Sequence, residues 1–358
     1  DIDKPTCGEV ADAGTTLALV WNAGGKSDLA FFDIKTSKMT PGPALPAEII
    51  SNVSFSKDSK RLVMVANGST SPPDVWVLDI GAKRFDRITQ SPHAGVDLNA
   101  LVRPEKVTYK AHDGLDLTAW LYRPRGASGP GPMVLSFHGG PEGQERPRFN
   151  STYQALVSRG IGVLAPNVRG SSGFGKKFVN LDNGSLRENA IKDIESTAKH
   201  VNSSGIGDPK KLGIMGGSYG GYMTMVGLTE YPDLFAAGAT SYGLVNFLTF
   251  FKHSEAYIAS TSKIEYGDPD KEATMLEKLS PFFKLDRVKA PTLVLHGAND
   301  TNVPVVEANQ VVESLSKRGV PVEFVLFPDE GHGWRKSANK ARAAVSIVTF
   351  FEKYLTKK

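Results

Sequence analysis

Six consecutive residues carry the strongest chemical signal in the chain: Gly216-Gly217-Ser218-Tyr219-Gly220-Gly221. They contain the pattern G-x-S-x-G. The apolar, strand-like stretch Lys211-Leu212-Gly213-Ile214-Met215 precedes them, and Tyr222 through Leu228 follow with the composition of a buried helix. Strand, sharp turn and helix form the setting in which such a serine becomes a nucleophile, its hydroxyl thrust out from a strained turn. Glycines flank it because the turn is too crowded for Cβ atoms. The chemistry is attack on a carbonyl carbon with a covalent intermediate. A glycine-rich turn with an incidental serine is the alternative, and the partner residues decide between them.

A serine hydroxyl needs a general base, and the base needs a carboxylate to orient it, in the chain order Ser, acid, His. Of seven histidines, only His253, His296 and His332 follow Ser218. His332 lies in the glycine-flanked run Asp329-Glu330-Gly331-His332-Gly333-Trp334, just past an apolar strand-like stretch. His253 sits in a Phe-rich helical segment and His296 inside a strand, so both read as structural. Asp300 lies at the tip of the loop His296-Gly297-Ala298-Asn299-Asp300 and is the expected acid. Its rivals are Asp233, Asp268, Asp286 and Asp329; Asp233 reads as turn chemistry, and Asp329 is too near His332 in sequence to orient it.

An oxyanion forming on the attacked carbonyl needs N–H donors. His138-Gly139-Gly140-Pro141 also follows a strand, and its glycines let backbone N–H groups approach a ligand closely. The expected donors are Gly140 and Tyr219, the residue after the serine, with His138 and Gly139 lying against the substrate. The aromatic stretch from Tyr242 through Phe247 and Phe250 is either an apolar pocket for the residue before the attacked bond or plain core packing. Arg169 through Gly175 lacks the lysine and helix start of a phosphate loop and reads as a structural loop beside the site.

These groups require a scaffold. From Pro132 onward, apolar runs at 133–137, 162–166, 211–215, 236–241, 292–296 and 322–327 alternate with helical stretches at 149–158, 186–202, 219–230, 305–317 and 339–354. Such alternation predicts an α/β domain with a mostly parallel sheet covered on both faces, where ligands bind beyond the C-terminal strand ends. Every candidate residue lies just past such an end. Upstream, Val107–Lys110 and Leu115–Tyr122 flank Asp113-Gly114 and predict a hairpin.

The first hundred residues are different. Leu17-Ala18-Leu19-Val20-Trp21-Asn22 and Leu62-Val63-Met64-Val65-Ala66-Asn67 stand 45 positions apart, and Phe32-Asp33-Ile34 and Leu78-Asp79-Ile80 stand 46 apart. A strand repeat with this period is the signature of a propeller blade. Propellers close with about 4–8 blades and this region holds about two, so the remaining blades are expected on another chain or a removed segment. A small β-sandwich cap is the alternative. The expected domains are a partial β-propeller over 1–103 and a catalytic domain over 104–358.

Composition narrows the partners. The 358 residues are 40% hydrophobic and 22% charged, as in an ordinary globular protein. The net charge of +4 is dispersed, with cationic residues adjacent only in pairs such as Lys176-Lys177 and Lys357-Lys358; nucleic acid is not an expected partner. A single cysteine, Cys7, excludes an internal disulfide and a cysteine metal site. No metal or organic cofactor is implied. No apolar run reaches the ~18 residues of a membrane span. The chain begins at Asp1 rather than Met, as expected of a processed product or an engineered start, so a cytoplasmic compartment and a periplasmic or secreted one after leader removal both stay open.

Taken together, His138-Gly139-Gly140-Pro141, Asn167 through Gly175, Gly216 through Gly221, His296 through Asp300 with Val303-Pro304, and Gly331-His332-Gly333 resemble the prolyl oligopeptidase family of serine peptidases, most of all its acylaminoacyl-peptidase branch. The resemblance covers roughly the C-terminal 250 residues. It implies an α/β-hydrolase fold preceded by a gating propeller, a catalytic set of Ser218, Asp300 and His332, short peptides as substrates, and Asn302 and Val303 among the substrate-binding residues. Two departures stand out. Some branches place a tyrosine hydroxyl in the oxyanion site where His138 stands here, and many members carry an arginine at the position of Asn302. A carboxylesterase on the same fold, an inert assembly module lacking its full propeller, and a homo-oligomer are the remaining readings.

Overall fold

The computed structural model describes residues 7–11 and 14–356; Asp1 and the Lys357-Lys358 pair lie outside them. Two compact units are present. One holds the described residues up to Pro104 with Arg146–Asn150 and Gly173–Gly175; the other holds Glu105–Glu145, Ser151–Ser172 and the residues from Lys176 onward.

The first unit contains two antiparallel four-stranded sheets. Strands β1 (Cys7–Val10), β2 (Thr16–Ala23), β3 (Lys26–Asp33) and β4 (Lys38–Pro41) make one. Strands β5 (Ile49–Phe55), β6 (Arg61–Gly68), β7 (Ser71–Asp79) and β8 (Arg84–Arg87) make the other. The 45-residue repeat superposes β2 on β6, but each copy has four strands where the sequence pattern reveals two. The outermost strands β4 and β8 are four residues each and largely exposed, so they lack the apolar alternation that marks a half-buried strand. In β6 that alternation is clear: Leu62, Met64 and Ala66 are buried, while Arg61 and Val63 are exposed and Val65 and Asn67 half-buried. With Ala18, Val20, Leu29, Ile50 and Leu78 they form this unit's core. Arg146 joins the unit by donating from Nε to the Gly25 carbonyl at 2.9 Å, and the Phe149 N–H donates to Asn67 Oδ1 at 3.0 Å.

The second unit is an eight-stranded sheet of β9 (Glu105–Lys110), β10 (Asp116–Tyr122), β11 (Gly131–Phe137), β12 (Gly162–Asn167), β13 (Gly207–Gly217), β14 (Ala237–Ser241), β15 (Thr292–Gly297) and β16 (Val322–Phe327). The strands lie in sequence order except that β11 and β12 exchange places. The predicted hairpin β9–β10 pairs antiparallel, β10 pairs antiparallel with β12, and every pairing from β12 to β16 is parallel. Strands β12, β14 and β15 are buried along their whole length, which is why they read as unbroken apolar runs. The edge strand β16 exposes Phe324 and Leu326.

Helices α1 (Ser151–Ser158), α2 (Lys176–Val179), α3 (Arg187–Ser203), α4 (Tyr219–Glu230), α5 (Phe247–His253), α6 (Ala256–Tyr266), α7 (Ala273–Leu279), α8 (Val306–Lys317) and α9 (Ser337–Leu355) follow. Adjacent residues of β13 show that both faces are covered. A Cβ on Gly213 would meet the Phe351 ring of α9 at 2.7 Å, whereas the Ile214 side chain packs at Gly227 of α4. No helix among the described residues is long and apolar enough to cross a membrane.

Candidate active site

The turn from β13 into α4 places Ser218 at φ 56° and ψ −120°, a backbone conformation that a residue with a side chain adopts only when its surroundings impose it. Those surroundings are glycines packed against backbone. A Cβ on Gly216 would lie 2.3 Å from the Gly220 carbonyl oxygen, one on Gly220 2.0 Å from that of Phe137, and one on Gly221 2.5 Å from the Gly243 Cα. No side chain fits at these positions, so the glycine pattern is steric as well as conformational. The Ser218 N–H donates to the Ser241 carbonyl at 3.0 Å, tying the turn to the end of β14.

His332 stands on the loop after β16 and Asp300 on the loop after β15. Their loops touch, for a Cβ on Gly297 would lie 2.3 Å from the Gly331 carbonyl. His332 Nδ1 is 2.8 Å from Asp300 Oδ2 and Nε2 is 3.0 Å from Ser218 Oγ. A carboxylate only accepts, so Nδ1 carries the proton, and Nε2 is left free to accept from the serine hydroxyl. The Asp300 side chain is fully buried while that of His332 is 24% exposed. Asp300 is held by its own turn: Oδ1 accepts the N–H groups of Asn302 at 3.0 Å and Val303 at 2.9 Å. Both residues therefore meet the acid through their backbone. The His332 ring rests edge-on against Tyr242, which contacts Trp334, which in turn packs on Phe327.

The rival residues lie elsewhere. Asp233 pairs with Lys289, Asp268 with Lys263 and Asp329 with Lys336, and Asp286 is exposed. His253 ends α5 on the surface.

The His138-Gly139 segment abuts the serine turn, since a Cβ on Gly139 would lie 3.4 Å from that of Ser218. His138 is anchored with Nε2 2.8 Å from Ser171 Oγ and Nδ1 2.8 Å from the Gly139 carbonyl, and burial pushes its pKa down. Gly140 has φ 139°, and a Cβ there would run into the N–H groups of Glu142 and Gly143 at 2.6 and 2.4 Å. Tyr219 opens α4, so its N–H is one of the first-turn donors that a helix leaves without an internal acceptor.

Several residues around the site escape sequence reasoning. The Tyr219 hydroxyl donates to Asp182 Oδ2 at 3.3 Å, and the Arg187 guanidinium lies over its ring. Arg187 is fully buried, pairing with Asp182 at 2.9 Å and Glu265 at 2.5 Å. Glu307, in the first turn of α8, is also buried: Oε2 accepts the N–H groups of Val245 at 2.9 Å and Asn246 at 2.7 Å, and the Thr249 hydroxyl donates to Oε1 at 2.5 Å. Burial pushes its carboxyl up to about 7. The segment it holds runs into Phe247 and Phe250, both buried and packed around Tyr266, with Phe247 also against Tyr222. No motif announces these contacts, the longest of which join residues 62 and 78 positions apart.

A mostly parallel sheet of this order, with a serine at the strained turn after β13 and an aspartate and a histidine on the loops after β15 and β16, defines the α/β-hydrolase class. Residues 147–358 match the sequence profile described as the Prolyl oligopeptidase family. The chain belongs to that family. Dipeptidyl aminopeptidase BIII of Pseudoxanthomonas mexicana is 34% identical over 303 residues, which cover 81% of this chain and 44% of that protein. A solved acylaminoacyl peptidase in complex with Z-Gly-Gly-Phe-chloromethyl ketone is 26% identical with a TM-score of 0.84, covering 100% of this chain and 57% of the other. A Mycobacterium tuberculosis puromycin-hydrolyzing peptidase shares the fold at a TM-score of 0.90 and 23% identity, covering 99% of this chain and 54% of its own. The chain spans about half the length of the curated relatives it matches, 44% and 46% for two of them.

Proposed function

We propose that this chain carries the catalytic domain of a serine peptidase that hydrolyses short peptides by way of an acyl-enzyme. The observation that carries the reading is the continuous relay from Ser218 Oγ through His332 to Asp300, with steps of 3.0 and 2.8 Å. Ser218 Oγ attacks the peptide carbonyl while its proton passes to His332 Nε2. The imidazolium, faced by Asp300, returns that proton to the leaving amine as the C–N bond breaks. Water then enters, gives a proton to His332, and its oxygen displaces Ser218 Oγ, which recovers the proton. The N–H groups of Gly140 and Tyr219 receive the negative charge on the carbonyl oxygen; one such donor is typically worth about 10²–10³-fold in rate. His138 and Gly139 line the same side, and Asn302 and Val303 support Asp300 besides lying near the substrate. Tyr242, half-buried beside His332, belongs to the apolar wall that takes the residue before the scissile bond, whereas Phe247 and Phe250 lie in the core, the packing role that the sequence left as the alternative.

Residues 104–358 form the catalytic domain in this reading, and 1–103 supply two blades of a propeller. Two four-stranded meanders at a 45-residue repeat support the blades, and the relatives' roughly twofold greater length supports further blades on a partner segment. The mass of the native protein tests this: a stable, active 38.5 kDa species would overturn it.

The test of the chemistry is labelling with a fluorophosphonate, followed by comparison of acyl-amino-acid anilides, aminoacyl anilides and a p-nitrophenyl ester. Labelling lost in Ser218→Ala together with anilide cleavage supports the peptidase. Cleavage of the ester alone replaces it with a carboxylesterase, and absence of labelling in folded protein makes the chain an inert module.

A further inference from the structure

His296, like His138, belongs to the site region but takes no part in the relay. It lies at the end of β15, fully buried, four residues before Asp300. Nε2 is 2.8 Å from the Val303 carbonyl and 3.6 Å from Asp300 Oδ2. Two acceptors face one nitrogen, so Nε2 carries the proton. Nδ1 is then the unprotonated nitrogen, and it is buried without a hydrogen-bond partner. A second proton there would create a cation with nothing to receive its N–H, so the ring is built to stay neutral, and burial lowers its pKa accordingly. The titratable groups that bear on it are Asp300 on its own loop and His332 from the loop after β16; Tyr242, after β14, bears on Asp300.

Val303 is thereby gripped at both ends. Its carbonyl accepts from His296, and its N–H donates to Asp300 Oδ1 beside that of Asn302. We propose that His296 is a positioning residue for Asp300, clamping the Val303 turn that supplies the acid's N–H donors and presenting a neutral N–H dipole to the oxygen that orients His332. A cation in its place would also hold Asp300, but it would oppose the positive charge that His332 takes up in each half-reaction. A neutral donor avoids that conflict. The inference rests on the reading of Ser218, His332 and Asp300 as the reacting set.

The test compares His296→Phe, which keeps a ring of similar volume without the donor, with His296→Gln, which returns an N–H near the Nε2 position. Should the Phe variant fail to fold, His296→Leu carries the same comparison. The expected result for the donor-less variant is a fall in kcat/KM of about 10–100-fold with KM little changed, the size of effect that follows a displaced catalytic group. The acid limb of its pH profile should move to lower pH, because His332 with a loosened carboxylate loses its proton more readily. The Gln variant should recover most of the rate and the limb position. Proton NMR supplies a readout independent of turnover. The far-downfield signal of the His332 Nδ1–H, identified by its loss in His332→Ala, should shift upfield or broaden in the Phe variant and return in the Gln variant. A limb and a downfield signal that do not move, or a limb that moves upward, overturn the inference even if activity drops. A wild-type chain that shows the downfield signal yet takes no fluorophosphonate leaves the clamp standing and removes the peptidase reading instead.

Discussion

Glu307→Gln is expected to make the protein more stable at pH 8 and to leave it nearly unchanged at pH 5. Glu307 is fully buried, and burial pushes its carboxyl from the ordinary 4.5 up to about 7. Below 4.5 the group is neutral in both the folded and the unfolded chain and contributes nothing to pH dependence. Between 4.5 and 7 the unfolded chain releases the proton that the folded chain keeps, so stability falls as pH rises. Above 7 both are ionised and the full cost of the buried charge is present. The gap of about 2.5 pH units corresponds to roughly 3 kcal/mol. Glutamine has the same shape: its carbonyl accepts the Val245 and Asn246 N–H groups, and its amide donates to Thr249 Oγ1, whose hydroxyl can turn to the Asn246 carbonyl 3.2 Å away. The variant therefore keeps the hydrogen bonds and loses the charge. Urea unfolding of both proteins at pH 5 and pH 8 measures the double difference, in which every other titration cancels. A gain at pH 8 exceeding that at pH 5 by about 2–3 kcal/mol is expected; a pH-independent difference refutes the account of a neutral-by-design carboxyl beneath the Val245–Phe250 segment.

Three further perturbations follow from contacts in the second unit. Asp300→Asn should lower kcat by about three to four orders of magnitude with fluorophosphonate labelling slowed in parallel, because an amide in place of Oδ2 favours the wrong imidazole tautomer; a loss under tenfold refutes the orienting role. Gly220→Ala puts a Cβ 2.0 Å from the Phe137 carbonyl and should destabilise by about 1–3 kcal/mol while slowing acylation; normal labelling in a folded variant would show that the turn has slack. Arg187→Met strips the partner from Asp182 and Glu265 and should cost about 3–5 kcal/mol at pH 8, where both carboxylates are left charged, and less at pH 5, since burial already raises the pKa of each. An equal loss at both pH values would place the damage in packing instead.

What the sequence reveals and what it hides divide along a physical line. The glycines around Ser218 are legible because backbone crowding acts within a few residues: Gly216 meets Gly220, and the serine between them has no other way to turn. The parallel strands are legible because burial on both faces of β12, β14 and β15 demands unbroken apolar runs. The order Ser218, Asp300, His332 follows from loops at the ends of β13, β15 and β16, strand ends that periodicity already exposes. Helices α5, α6 and α7 are less legible as units, since α6 leaves Tyr257 and Ile264 exposed and shows no clean apolar stripe. Likewise β4 and β8 are too short and too exposed to carry a pattern.

The residues that tune the site belong to the hidden side for a different reason. Glu307 looks like an ordinary helix-start carboxylate, Arg187 like a surface cation and His296 like strand filler, because each acts through a partner that folding alone brings near. Glu307 reaches Val245 across 62 positions and Arg187 reaches Glu265 across 78. His296 reaches Val303 across only 7, yet its donor meets an acceptor there because Val303 is also pulled toward Asp300. A local motif can specify which atoms react, since it must shape the backbone that presents them. The second layer has no such local demand: any element that delivers a donor or a buried charge to the right point will serve. Asn302 is a case in point: it helps to hold Asp300 through its backbone N–H, a donor that any residue but proline would supply there.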